Sequence, residues 1–301
     1  MRLSICLTAA CLALAPSALA GSEAFLDDFD EAVALARAEK KDLFVDFTGS
    51  DWCGWCIKLD EEVFSHEAFL VEAQKDFVLV ALDYPRGEEA KAAVPNPERN
   101  DELREEYGIR GYPTCLLMTA DGDVYGRTGY LKGGPEQYVE HLRELRASGR
   151  KSLEEVIALV KRFDAAQGEA RVAVWEEAVA MLESLGPDSA VARRLAAPVK
   201  AALEFDPDNA AGRKLRAIKA LMGAGLAEEA VLAAARELDP KNEAGLLEQV
   251  VAAQMEAVDS EEAVREVCKA IAELDALGPI KDPELAFRFY LNAAAWNDRF
   301  L

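Results

Sequence analysis

The residues best equipped for chemistry in this sequence are Cys53 and Cys56, in the run Trp52-Cys53-Gly54-Trp55-Cys56. A short apolar run, Leu43 to Thr48, precedes them, and a helical pattern from about Cys53 to Val63 starts at the first cysteine. Three-residue spacing brings both sulfurs to one end of the first helical turn, close enough to bridge. The free N–H groups and the dipole at a helix N-terminus favour an anion. Thiols placed this way titrate at about 3.5–7.5, against about 8.5 for an unperturbed cysteine. The chemistry on offer is thiol-disulfide exchange. Two other readings stay open, an inert structural disulfide and half of a metal clip. Zinc usually takes four ligands, often as two such pairs. The two histidines, His66 and His141, each sit among charged residues on expected helices and read as solvated surface.

The remaining cysteines follow from the N-terminus. Arg2 is followed by an apolar stretch from Leu3 to Ala15, a breaker at Pro16, and small residues at Ala18 and Ala20. This is the pattern of a secretory signal peptide over residues 1–20, cleaved between Ala20 and Gly21, with an uncleaved anchor as the rival. A lipoprotein signal at Cys11 lacks the usual large aliphatic residue before it. Export to the periplasm or the outside removes Cys6 and Cys11 and leaves Cys53, Cys56, Cys115 and Cys268. Four cysteines in so long a chain are not a disulfide scaffold. Cys115, inside an expected strand, and Cys268, in an apolar helical stripe, read as small core residues. The charge of −21 argues against nucleic acid and anionic lipid as partners. No later run reaches the roughly 20 apolar residues needed to span a bilayer.

The elements that would position the pair alternate in type. The patterning predicts helices over 29–41, 53–63, 66–74, 101–107 and from 133 to about 147. It predicts strands over 43–48, 77–83, 114–119 and 123–128, with a hairpin turn at Asp121-Gly122. Three prolines mark 84–100 as a loop. This order implies a mixed central sheet with helices on both faces. From 150 onward only helical stripes recur, such as Trp175, Val179 and Leu182, then Val264, Val267, Ile271 and Leu274. Asp206-Pro207-Asp208-Asn209 returns as Asp239-Pro240-Lys241-Asn242, an offset of 33 residues. That resembles the period of about 34 in tetratricopeptide arrays, although the bulky and glycine positions inside such helices are mostly missing. With a preceding helix that runs through it as the alternative, a short joint is expected at 148–152. It divides the mature chain into residues 21–148 and an all-α, helical-repeat-like region over 149–301.

Residues 25–148 resemble a thioredoxin-family domain. The resemblance rests on Val45-Asp46-Phe47, on Trp52-Cys53-Gly54-Trp55-Cys56-Ile57-Lys58, and on Tyr107-Gly108-Ile109-Arg110-Gly111-Tyr112-Pro113-Thr114. It implies an α/β thioredoxin-like fold in which Cys53 is the exposed nucleophile and Cys56 the buried resolving thiol. It also implies that Asp46 is the buried acid beneath them, and that Pro113 is cis. Tyr112 and Thr114 would flank a substrate groove, Trp52 would pack over the active-site helix, and Trp55 would face substrate. Three departures bear on this. The Asp46-to-Cys53 separation is one residue longer than in thioredoxin, Leu79 falls where that protein has a lysine partner for the acid, and the Gly-Trp dipeptide leaves the direction of exchange open.

The sequence therefore points to an exported thiol-disulfide oxidoreductase working through Cys53 and Cys56. It calls for no metal and no cofactor beyond its own disulfide. The partners would be exported proteins with thiols or disulfides and a redox partner, and the helical tail would be a docking surface. The alternative is a redox-regulated binding module, in which the tail docks a partner and the thioredoxin-like domain does not turn over. Lys58 could hold the thiolate or be solvated, and Asp51 would oppose it.

Overall fold

The computed structural model describes residues 24–186, 189–258 and 260–300. The expected signal peptide at 1–20 and its cleavage point lie outside them. The chain falls into two compact units. One runs to Gly122 and takes in Thr128–Glu144, and the other takes Asp123–Arg127 and the chain from Leu145.

Strand β1, Asp42–Thr48, organises the first unit. It pairs in parallel with β2, Phe77–Asp83, and antiparallel with β3, Thr114–Met118. With β4, Val124–Thr128, the sheet order is β2-β1-β3-β4. Six consecutive residues of β1, Asp42 to Phe47, are buried. Neighbouring strand residues point to opposite sides, so both faces must be covered. On one face Phe44 meets Phe64 and Phe69, with ring centroids 5.6 and 6.0 Å away. On the other Phe47 meets Tyr84 and Tyr107, at 6.3 and 6.5 Å. The fold is the mixed α/β sandwich that the sequence pattern implies.

Helix α1, Phe29–Glu39, begins where the Asp28 carboxylate accepts the Glu31 N–H at 2.9 Å. It buries Phe29, Ala32 and Ala36, while Val33 is only half-buried. Helix α2, Gly54–Leu59, passes into a π turn over Asp60–Phe64, closed by the Ser65 N–H on the Asp60 carbonyl at 2.9 Å. Helix α3 is Glu67–Ala73. The segment expected as a loop contains α4, Glu88–Ala93, and the start of α5, Pro97–Glu106. Pro97 stands in the first turn of α5, where a missing N–H costs nothing, and Pro95 falls between the helices. These prolines punctuate helices rather than exclude them.

Helix α6, Gly134–Ala165, runs straight through the expected joint at 148–152. Gly149 is no breaker there. A Cβ at this position would lie 2.2 Å from the Tyr125 carbonyl oxygen, so the glycine allows helix and strand backbones to meet.

The second unit continues as helices. They are α7, Gly168–Ser184; α8, Ala196–Lys200; α9, Ala202–Phe205; α10, Arg213–Gly223; α11, Glu229–Leu238; α12, Leu246–Glu256; α13, Glu261–Leu277; and α14, Pro283–Phe300. The stripes Trp175, Val179, Leu182 and Val264, Val267, Ile271, Leu274 are buried. Cys268, expected in the core, is free and only half-buried beside them. No helix among the described residues is long and apolar enough to cross a membrane.

The sequence repeat is a loop built twice. Asp206 accepts the N–H groups of Ala211 and Arg213 at 3.2 and 2.8 Å, and Asp239 accepts those of Ala244 and Leu246 at 3.0 Å each. Asn209 and Asn242 accept from Leu215 and Leu247 and take positive φ of 54° and 56°. Each loop thus satisfies the free donors that open α10 and α12. Replacing Asp239 with Ala removes the acceptor of two of these hydrogen bonds. It is expected to destabilise the helical unit by about 1–2 kcal/mol. Amide exchange should accelerate at Ala244 and Leu246 and stay unchanged in β1. Unchanged exchange at both amides would contradict the capping role.

Candidate active site

Cys53 and Cys56 are joined in a disulfide, with Cα atoms 5.2 Å apart. Strand β1 delivers the chain to them and a tight loop turns it into α2. In that loop the Cys53 N–H donates to the Gly49 carbonyl at 2.9 Å. A Cβ on Gly49 would lie 2.6 Å from the Trp52 ring, so this glycine is what lets the indole lie against the backbone. Cys53 is the N-cap of α2, in an extended conformation. Its sulfur accepts the Cys56 N–H at 3.2 Å, and its carbonyl accepts the N–H groups of Cys56 and Ile57 at 3.0 Å each. Charge gathering on the Cys53 sulfur would therefore face a backbone donor and the positive end of the helix.

The two cysteines are 6% and 4% exposed, so burial does not separate an exposed sulfur from a buried one as the family resemblance implies. They differ in what surrounds them. Cys56 lines a cavity of about 490 Å³ together with Asp46, Asp60, Asp83 and Asn100. Asp46 is buried, and loss of hydration raises its pKa from 3.8 to about 7. A hydrogen bond from the Cys115 thiol, 3.4 Å from Oδ1, opposes the rise, and the nearby charges of Asp60 and Asp83 add to it. In the strand register Asp46 pairs with Ala81 and Cys115, whereas Leu79 lies opposite Phe44.

Aromatic side chains surround the pair. Trp52 donates its indole N–H to the Tyr84 carbonyl at 2.8 Å, carries the Arg86 guanidinium 3.9 Å over its ring, and meets Tyr112 edge-on at 5.6 Å. It packs against this loop cluster. The Tyr112–Pro113 peptide bond is cis. Thr114, expected at the rim of a groove, is buried, with its hydroxyl donating to the Gly111 carbonyl at 2.8 Å. Trp55 is 56% exposed and lies 5.0 Å from the Tyr130 ring. Lys58 sits 5.5 Å from the Trp55 ring and 3.6 Å from Glu62. Asp51 accepts the Arg86 N–H at 2.9 Å and the Gly87 N–H at 2.6 Å. These bonds hold its carboxyl below the usual range and spend its charge on the loop after β2.

Sequence reasoning missed Tyr84, Arg86 and Tyr130, and read Cys115 as plain core. Tyr84 and Arg86 had a signal: β1 and β2 are parallel, so the chain leaving β2 emerges at the edge where β1 delivers Cys53. Neither histidine lines the cavity. His66 is exposed, and His141 is half-buried, with Nε2 3.0 Å from Thr128 Oγ1. Among the described residues no three His, Cys, Asp or Glu side chains are grouped to hold a metal ion.

Residues 29–146 match the model of a family described as a thioredoxin-like domain. Over 119 residues the chain is 30% identical to the disulfide bond reductase DsbH of Chlamydia pneumoniae, a match covering 39% of this chain and 69% of that protein. It is 29% identical over 103 residues to the thioredoxin-related protein DsbJ of the same organism, covering 34% of this chain and 29% of that one. The chain thus spans less than a third of the second relative. Among solved structures, a DsbH oxidoreductase matches at 28% identity and a TM-score of 0.35, covering 40% of this chain and 82% of that one.

The buried acid gives folding a pH dependence whose sign is fixed. In the unfolded chain Asp46 titrates near 3.8, and in the folded protein near 7. Below the first value both states hold the proton. Between the two, the unfolded state releases a proton that the folded state keeps, so stability falls as pH rises and levels off above about 7. The loss is of the order of 4 kcal/mol at most. Asp46→Asn is expected to remove this decline. In urea titrations of the oxidised protein it should be the more stable form near pH 8, the gain vanishing toward about pH 4. A variant no more stable than the parent near pH 8 would contradict the assignment.

Proposed function

The chain belongs to the thioredoxin-like family, and on that premise we propose that it is an exported thiol-disulfide oxidoreductase acting on protein disulfides. The observation that carries this reading is the Cys53–Cys56 disulfide at the N-terminus of α2, with Asp46 lining the same cavity as Cys56. A purely structural disulfide gains little from a buried acid beside it, whereas an exchanging pair needs a proton donor and acceptor there. Two relatives, a disulfide bond reductase and a thioredoxin-related protein, support the same chemistry.

In the reduced protein the Cys53 thiolate attacks one sulfur of a client disulfide and expels the other as a thiolate, leaving a mixed disulfide. Cys56 then attacks Cys53, its proton passing to Asp46, and the client leaves with two thiols while Cys53–Cys56 re-forms. Run backwards, the same steps oxidise a client. Cys53 is the attacking residue because the helix end and the Cys56 N–H stabilise its charge. The exposed ring of Trp55 and the pair Trp52 and Tyr112 offer an apolar surface to an extended client segment around the disulfide, and Pro113 shapes its edge. The disulfide is itself the electron carrier, so the reaction calls for no metal or organic cofactor. Export rests on the leader pattern of residues 1–20, and the helical unit is the docking surface for clients or for the redox partner.

Cys56→Ser is expected to accumulate mixed disulfides with exported proteins, because resolution is lost, and Cys53→Ser to accumulate none. Non-reducing electrophoresis of periplasmic or secreted extracts reads both. The reverse pattern would reassign the nucleophile. Failure of the parent protein to accelerate insulin reduction by dithiothreitol, with no trapped complexes in either variant, would favour the non-enzymatic alternative.

A further inference from the structure

Asp46 shares its cavity with titratable groups from several elements. Cys56 comes from α2, Asp60 and Glu61 from the π turn, Asp83 from the end of β2, and Asp27 from the segment before α1. Cys115 comes from β3, with Tyr138 of α6 behind it. Asp60 and Asp83 are acids whose charges oppose a negative charge on Asp46. Cys115 is the group that donates a hydrogen bond to it.

The backbone fixes that donor. Cys115 is the cross-strand partner of Asp46 in the antiparallel β1–β3 pairing, so the two side chains are set side by side by register. Its sulfur is 3.4 Å from Oδ1, and the residue is fully buried. Burial also pushes the thiol pKa well above its ordinary value, so the group keeps its proton. Tyr138 closes the far side, its hydroxyl 3.6 Å from the Cys115 sulfur and 3.1 Å from the Gly129 carbonyl.

We infer that Cys115 is a positioning residue for the exchange reaction: its S–H holds Asp46 Oδ1 and sets how readily that carboxyl passes a proton to and from Cys56. The inference rests on the function proposed above. When a dithiol reduces the Cys53–Cys56 bond, one of its thiolates attacks Cys53 to form a mixed disulfide, and its second thiol then displaces Cys53 as a thiolate, so that the dithiol closes to a disulfide and gives up two electrons. Cys56 leaves as a thiolate and takes its proton from the Asp46 carboxyl. In the reverse reaction the Asp46 carboxylate takes the Cys56 proton as that sulfur attacks the Cys53 mixed disulfide. Cys115 makes and breaks no covalent bond in either direction.

Three full-length variants separate a hydrogen-bonding role from a space-filling one. Cys115→Ala removes the donor, Cys115→Val removes it while refilling the space, and Cys115→Ser keeps a hydroxyl donor. The Asp46 carboxyl is titrated by infrared difference spectroscopy on the oxidised protein, with Asp46→Asn as the reference that assigns its band. The pH dependence of disulfide reduction by dithiothreitol is measured in parallel, so neither readout needs a client. Both midpoints are expected to move up by roughly 0.5–1 pH unit in the Ala and Val variants, because a bond to the charged form is lost. Both should return to the parent position or below it in the Ser variant. Parent-like titration in the Val variant, or a Ser variant that behaves like Val, would overturn the hydrogen-bonding role. A shifted Asp46 titration with an unshifted reduction profile would overturn the role in exchange. A parent protein inactive toward protein disulfides would count against the proposed function and leave these readouts to decide the role of Cys115.

Discussion

The first unit depends on the requirement that β1 be bonded on both edges and buried on both faces. Such a strand leaves no room for an ionised side chain, and Asp46 sits in it, two residues from its end, on the face that carries Phe44. The structure meets the conflict by raising the proton affinity of the carboxyl and by supplying a weak donor, the Cys115 thiol, instead of a basic partner. A lysine or arginine there would lock the acid in its charged form. A thiol leaves it close to the balance point near neutral pH.

The disulfide inherits its place from the same strand. The turn after Thr48 is short and held by Gly49, so Cys53 reaches the N-cap of α2 with little slack. What lies around it is contributed by chain leaving the neighbouring strands. The segment after β2 brings Tyr84 and Arg86 against Trp52, and Asp51 grips the backbone of that segment in return. The loop before β3 brings Tyr112. Strands whose ends converge at one edge of a sheet gather loop residues there, which is why side chains remote in sequence form one surface.

Much of this was legible in the sequence because the signals were local. The apolar runs 43–48 and 77–83 read as buried strands, and the Cys53/Cys56 spacing read as a pair able to bridge, which it does. The misreadings have physical reasons. Prolines at 95 and 97 were read as breakers, whereas Pro97 occupies the one helical turn that tolerates it. Gly149 was read as a joint, but its lack of a side chain serves the contact with Tyr125 inside a continuous helix. Thr114 was placed on a groove by resemblance, yet its hydroxyl is turned inward to the Gly111 carbonyl. The partnership of Asp46 with Cys115 depends on strand register over a separation of 69 residues, and no periodicity in the chain reports that.

The account stands or falls on whether the Cys53–Cys56 bond opens and closes while the rest of the protein stays folded. The direct measurement is an equilibrium titration of the full chain against defined ratios of reduced to oxidised dithiothreitol or glutathione, trapping free thiols and following circular dichroism in the same samples. The expected result is a reversible two-electron transition confined to Cys53 and Cys56, within the range of about −270 to −120 mV spanned by thioredoxin-like proteins, with the far-ultraviolet spectrum unchanged across it. A bond that stays closed until the first unit unfolds would show that the disulfide is structural and contradict the account.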